Sequence, residues 1–109
     1  AEDALPKVPQ NTQVGIYSLN ERGARGACEY LETTFPGLKT RFSKEHVGSN
    51  NLRCMSEEVD YFIVTTGAAK HAATEYIKNK RPNNKSELIY PEGVGRTSII
   101  RAFLRAIAN

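Results

Sequence analysis

Two histidines, two cysteines and no long apolar run narrow the chemistry open to this chain of 109 residues. His46 and His71 have neither a paired cysteine nor a carboxylate at ligand spacing, so no metal set is expected. No window approaches the roughly 18 consecutive apolar residues of a membrane span, and the acidic, proline-bearing start AEDALPKVPQN lacks a secretory hydrophobic region. A cytoplasmic protein without a membrane partner is the expectation. The phosphate-loop pattern G-x-x-x-x-G-K-[ST] is missing, and no G-x-G-x-x-G follows the first apolar run.

What is present describes one ordinary soluble domain. A chain of this length holds about one core, and 39% hydrophobic with 25% charged residues can supply it. The formal charge of +3 is a mild excess, well short of the clustered basic surface of a dedicated nucleic-acid binder. Residues 1–11, with two prolines and polar filler, read as an inter-domain linker; residues 12–109 read as a single α/β domain of a larger protein.

Beyond the linker, four apolar segments are each followed by a helical pattern. TQVGIYSL precedes Asn20, a helix cap for Ala24, Ala27, Cys28, Leu31 and Phe35, and Pro36-Gly37 stops that helix. LKTRF alternates as an exposed strand would, with Ser49 capping the helix of Leu52, Met55 and Val59. YFIVTT is almost wholly apolar, as a strand covered on both faces would be, and leads to the stripe Ala69, Ala72, Ala73, Tyr76 and Ile77. ELIYP precedes Ile99, Ile100, Phe103, Leu104 and Ile107, the strongest amphipathic stripe. Right-handed crossovers then favour a four-stranded parallel sheet in the flavodoxin-like order 2-1-3-4, with a three-layer α/β/α build. Cys28 and Cys54, on helices across the sheet from one another, are not expected to pair.

In that topology the loops after strands one, three and four share the carboxyl rim, where open α/β sheets bind ligands. Known chemistries of the scaffold fail there. A phosphoacceptor site needs acidic residues where Ser18, Leu19, Asn20, Thr65 and Thr66 stand, and a phosphocysteine domain needs a cysteine after strand one. FMN and NAD are likewise not expected, and no cofactor motif is complete. A donor-rich rim remains. Gly93 and Gly95 keep a backbone accessible, and Arg96, Thr97 and Ser98 open the last helix, where unpaired N–H groups and the dipole favour an anion. The bland alternative is a turn that merely permits the helix, with Arg96 paired to Glu92. Lys70 and His71 at the start of helix three are expected to face the same spot; Arg101 and Arg105 read as a solvated face, and Arg22 and Arg25 as surface charges, each of which could turn into the crevice.

From DYFIVTTGAAKHAATEYIKNK through IYPEGVGRTSIIRAFLRAI, the second half of the chain resembles a bacterial Rossmann-like family of small domains without an assigned activity. Lys70-His71-Ala72-Ala73 matches that family's SHDAA-like helix start, Gly95 to Ser98 its Gly-x-Ser-Ser turn, and Arg101-Ala102-Phe103 its RAL-like ending. Lys70 and Arg96 depart from the pattern, and the first loop lacks the family's glycine pair. The resemblance implies a fold rather than an activity.

The expected function is a regulatory or sensing domain that binds a nucleotide or another phosphate-bearing anion through Ser18, Asn20, Thr65, Thr66, Lys70, His71, Gly93, Gly95, Arg96, Thr97 and Ser98. With no nucleophile–base pair, a binding module is expected over an enzyme. The alternatives are a scaffold or oligomerisation domain pairing through LKTRF, a phosphate-ester or nucleic-acid processing domain using His71, and plain nucleic-acid contact through Lys39, Arg41, Lys44 and KNKRPNNK.

Overall fold

The computed structural model describes residues 8–108. Its elements are β1 (Gln13–Tyr17), α1 (Glu21–Thr34), β2 (Lys39–Ser43), α2 (Asn50–Glu58), β3 (Tyr61–Val64), a single 3-10 turn (Thr66–Ala68), α3 (His71–Lys80) and α4 (Arg96–Ala108). Two of the helices start where side-chain caps stand. Asn20 Oδ1 accepts from the Gly23 N–H at 3.4 Å, and Ser49 Oγ from the Leu52 N–H at 3.1 Å. α1 runs out at Phe35, whose N–H still bonds the Leu31 carbonyl, and Gly37 turns the chain with φ of +88°. A side chain there would be strained and would run into Gln10.

The sheet has three parallel strands in the order β2-β1-β3, so the expected four-stranded sheet of order 2-1-3-4 is corrected. ELIYP contributes one bridge, Ile63 to Ile89: the Ile89 N–H donates to the Phe62 carbonyl and its carbonyl accepts from the Val64 N–H, both at 2.8 Å. The reason lies at both ends of the segment. Ser86 is turned away, its carbonyl held by Arg81 and its hydroxyl donating to the Asp60 carbonyl, and Pro91 has no N–H to give. A strand-like composition is therefore cut to a single paired residue. β3, expected to be central, has β1 on one side and only this bridge on the other.

Alternation along the strands splits the core between the two faces. Val14, Ile16 and Ile63 pack with Ala24, Ala27 and Leu31 of α1 and with Ile99, Ile100 and Phe103 of α4. Tyr17, Phe62 and Val64 pack with Leu52 and Met55 of α2 and with Ala73 and Ile77 of α3. Cys28, on α1, lies against the first cluster, Cys54 lies on α2, and both thiols are free. Burial pushes the Cys28 thiol above its ordinary pKa, which suits a packing residue and not a nucleophile.

Of the segment taken as a linker, residues 1–7 lie outside the described residues, and residues 8–11 are docked on the domain. Val8 packs on the first cluster, and the Asn11 N–H donates to the Gly37 carbonyl at 2.9 Å. Among the described residues no helix is long and apolar enough to cross a membrane.

β2 forms an edge, and a carboxylate covers part of it. Glu32 Oε2 accepts from the Thr40 N–H at 2.9 Å and from its hydroxyl at 2.6 Å, and these bonds hold the Glu32 carboxyl below its usual pKa. The Thr40 N–H therefore serves no ladder bond. Thr40→Pro is expected to leave a folded monomer weakened by about 1–2 kcal/mol. Denaturant unfolding checks this; a chain that no longer folds would mean that Thr40 lies inside the ladder.

Candidate anion-binding groove

Two helix N-termini meet on the carboxyl side of β1. Asn20 caps α1 with its carbonyl oxygen, while its Nδ2 donates to the Val94 carbonyl at 2.9 Å, tying the loop after β1 to the loop before α4. The approach is close because residue 23 is glycine. A Cβ added there would lie 2.8 Å from Asn20 Nδ2, 3.0 Å from the Val94 oxygen and 3.2 Å from the Arg96 nitrogen. On its other side Val94 touches the third loop, with Cγ1 3.1 Å from a Cβ placed at Gly67. Gly93-Val94-Gly95 thus joins the loops after β1 and β3.

α4 begins at Arg96, and Ile99 is the residue whose N–H reaches the Gly95 carbonyl. By helix geometry the Arg96, Thr97 and Ser98 N–H groups are left without intrahelical acceptors. Arg96 does not reach for Glu92, whose carboxylate instead faces Arg105 at 3.8 Å. Its stem lies flat on α1 over Gly26, where a Cβ would be 2.8 Å from Arg96 Cδ, and its guanidinium sits 5.3 Å from the centre of the Tyr30 ring. Among the described residues it has no acidic partner in an ion pair. Asn20, Arg22, Gly23, Gly26, Glu29 and Arg96 line an open groove of about 470 Å³.

The other expected ligand residues divide into three groups. Ser18 and Thr65 are fully buried and committed to the loops: Ser18 Oγ accepts from the Asn20 N–H, and Thr65 Oγ1 reaches the Tyr17 and Ala68 carbonyls. Thr66, Lys70 and His71 are exposed. The Lys70 N–H donates to the Tyr17 hydroxyl at 3.2 Å, and that hydroxyl donates to the Glu45 carbonyl at 2.7 Å, which locks the start of α3. Burial pushes the Tyr17 phenol above its ordinary pKa. Lys70 and His71 stand at the start of α3, a different helix from the one that Arg96 opens. In the third group, Thr97 and Ser98 diverge. Thr97 lines a mainly apolar groove with Tyr30, Ile100 and Leu104, whereas Ser98 Oγ folds back over Gly93, 2.8 Å from where a Cβ would stand.

Sequence reasoning missed Gly26 and Tyr30, and it left Arg22 as a surface charge that could turn into the crevice, whose wall Arg22 lines. Glycines three apart inside a helix, each unfavourable by about 0.5–1 kcal/mol relative to alanine, were the available sign of a close approach. It also did not foresee the partners of several basic residues. Arg41 pairs with Glu58 at 2.8 Å and Lys44 with Glu21 at 2.6 Å. Arg81, counted within KNKRPNNK, spends its guanidinium on the Ser56, Val59 and Asp60 carbonyls and on Ser86. No group of three or more potential metal ligands occurs among the described residues.

A family model described as DpdD-like matches residues 1–102, so the chain belongs to the DpdD-like family. The match spans nearly the whole domain, where the resemblance read from the sequence rested on the second half, and it carries no statement of source or of fold. No curated protein and no solved structure matches the chain.

Proposed function

We propose that this DpdD-like domain is a regulatory module of a larger bacterial, cytoplasmic protein, and that it binds a phosphate-bearing anion, such as a nucleotide, between the N-termini of α1 and α4. One observation carries the reading. Arg96 stands at the positive end of α4, where a cation is disfavoured, yet among the described residues it has no acidic partner in an ion pair, and it is held against Tyr30 beside an open groove. An anion in that groove would meet the free N–H groups of the α4 opening, the Arg96 fork and Arg22. Glu29, on the groove wall, would set an upper limit on how much negative charge is accepted. Lys70 and His71, at the start of a different helix, have no part in this reading.

The scaffold alternative is weakened at its proposed contact, since Glu32 occupies the Thr40 N–H on the β2 edge. The nucleic-acid alternative loses Arg81 to main-chain carbonyls, and Arg41 and Lys44 face Glu58 and Glu21 at the surface.

Thermal unfolding with and without ligand tests the proposal. Inorganic phosphate and a panel of nucleoside mono-, di- and triphosphates should include at least one compound that raises the Tm, by about 2.7 kcal/mol of added stability at a hundredfold excess over Kd. Arg96→Ala should lose most of that rise while unfolding within about 1 kcal/mol of the parent in ligand-free buffer. An unshifted parent across the panel, or an undiminished response from Arg96→Ala, would overturn the reading.

A further inference from the structure

The groove beside Arg96 continues past that side chain. A second open groove, of about 270 Å³, runs between α1 and α4 and is lined by Tyr30, Arg96, Thr97, Ile100, Arg101 and Leu104. Arg96 is the wall common to both. The two differ in character: polar side chains and glycines line the first, whereas Tyr30, Ile100 and Leu104 make the second mainly apolar, and its described lining holds no acidic residue. Tyr30 and Leu104 pack on the core with one flank and are only half-buried, so the domain leaves their other flank uncovered.

Dimensions and chemistry choose the occupant. Gly23, Gly26 and Tyr30 lie on the face of α1 that meets Arg96, through its main-chain nitrogen, its stem and its guanidinium in turn. From Gly23 to Tyr30 is seven residues, so the helix opening and the apolar groove are about 10 Å apart. A nucleotide spans that distance from phosphate to base; inorganic phosphate does not. The apolar stretch on α4 is a single turn, Ile100 to Leu104, about 6 Å long. A flat ring system fills it, while a lipid acyl chain or a partner helix with anchors over two turns would overrun it. The Arg96 guanidinium stands between the grooves, where its face can stack on a heterocycle while its N–H groups meet a phosphate. Arg101, exposed at the rim, has no hydrogen bond or ion pair among the described residues and supplies donors to the edge of a base.

We infer that the apolar groove is a base subsite and that the ligand of this domain is a nucleotide held across both grooves. Its phosphate lies at the α4 opening and its base lies over Ile100 and Leu104 beside Tyr30, with Arg96 between the two. The phosphate half of this inference rests on the anion reading above; the base half rests on the second groove alone.

The experiment titrates the intact chain with ribose 5-phosphate, with adenosine, guanosine, cytidine and uridine 5′-monophosphates, and with octyl phosphate, at constant ionic strength. Backbone amides and isoleucine and leucine methyl groups are followed. Ribose 5-phosphate is expected to move the Arg96 and Thr97 amides and leave the methyl groups still. At least one nucleotide should bind about tenfold or more tightly than ribose 5-phosphate and also shift the Ile100 and Leu104 methyl resonances by its ring current. Leu104→Ala should bring that nucleotide to within about threefold of ribose 5-phosphate, whose own affinity it leaves within about twofold. If this variant does not fold, the methyl shifts of the parent decide alone. Amides that saturate with ribose 5-phosphate while no nucleotide improves on it overturn the base subsite and leave the anion site in place. Octyl phosphate equal to the best nucleotide, with the same methyl shifts, overturns the base in favour of a chain. Amides that no compound saturates overturn the anion reading and this inference with it.

Discussion

Phe103→Ala is expected to lower the stability of this domain by about 3–5 kcal/mol, a large part of what a chain of this size has. Phe103 is completely buried and forms the apex of the α1–α4 face. Its ring meets Phe35 edge-on at 5.7 Å and Tyr61 edge-on at 5.5 Å, so one truncation removes a side chain that touches the end of α1 and the start of β3. The cavity would sit between a helix and a strand that are themselves held by other contacts, so collapse can recover little of the loss. Urea unfolding at equilibrium measures it. A change below about 1 kcal/mol would mean that α4 is peripheral to the core.

The second large effect is expected at a charged residue. Arg81 follows α3, and its half-buried guanidinium donates to the Val59 carbonyl at 2.7 Å, the Ser56 carbonyl at 2.9 Å, the Ser86 carbonyl at 3.1 Å, and the Asp60 carbonyl and Ser86 Oγ at 3.2 Å each. These acceptors belong to the end of α2, the entry to β3 and the loop that feeds Ile89. Carbonyls near the end of a helix have no intrahelical donor, and here one side chain supplies it. Burial lowers the Arg81 pKa, with the nearby Asp60 opposing that shift, and the group still carries its charge at neutral pH. Arg81→Met, which keeps the apolar stem and removes the donors, is expected to destabilise by about 2–4 kcal/mol and to speed exchange of the Ile89 amide. Arg81→Lys should recover less than half of this, because a single ammonium cannot span acceptors on two sides of a planar fork. A Met variant as stable as the parent would show that the carbonyls are equally well served by water.

These two residues also mark where the sequence was and was not legible. Phe103 was visible because its helix repeats apolar residues at a period set by helix geometry, and caps such as Asn20 and Ser49 were visible because short polar side chains before an apolar stripe have one common use. Arg81 was invisible: its role depends on α2, β3 and residue 86 coming together, and in the chain it stands among polar residues that look like a solvated loop. The fourth strand failed for a related reason. ELIYP has strand composition, but pairing requires free ends, and Ser86 and Pro91 remove them through a long-range hydrogen bond and a missing donor. At the rim, the three loops do come together through Asn20, Val94 and Gly67. The expectation that Ser18 and Thr65 would face a ligand was overruled by burial, since loops packed this tightly use their hydroxyls on their own main chain. Arg96 was singled out for its misfit with the helix dipole, but its resting place on Tyr30 could not be foreseen without knowing that Gly26 clears the path.

The central claim, that the α1–α4 junction holds an anion, is tested most directly by following backbone amides while inorganic phosphate, and then the best nucleotide from the thermal panel, is titrated at constant ionic strength. The account predicts saturable shifts concentrated at Gly23, Arg96, Thr97 and Ser98, at least tenfold weaker binding in Arg96→Ala, and little movement at Lys70 and His71. Shifts that spread evenly over the basic surface, that fail to saturate, or that persist unchanged in Arg96→Ala would contradict it.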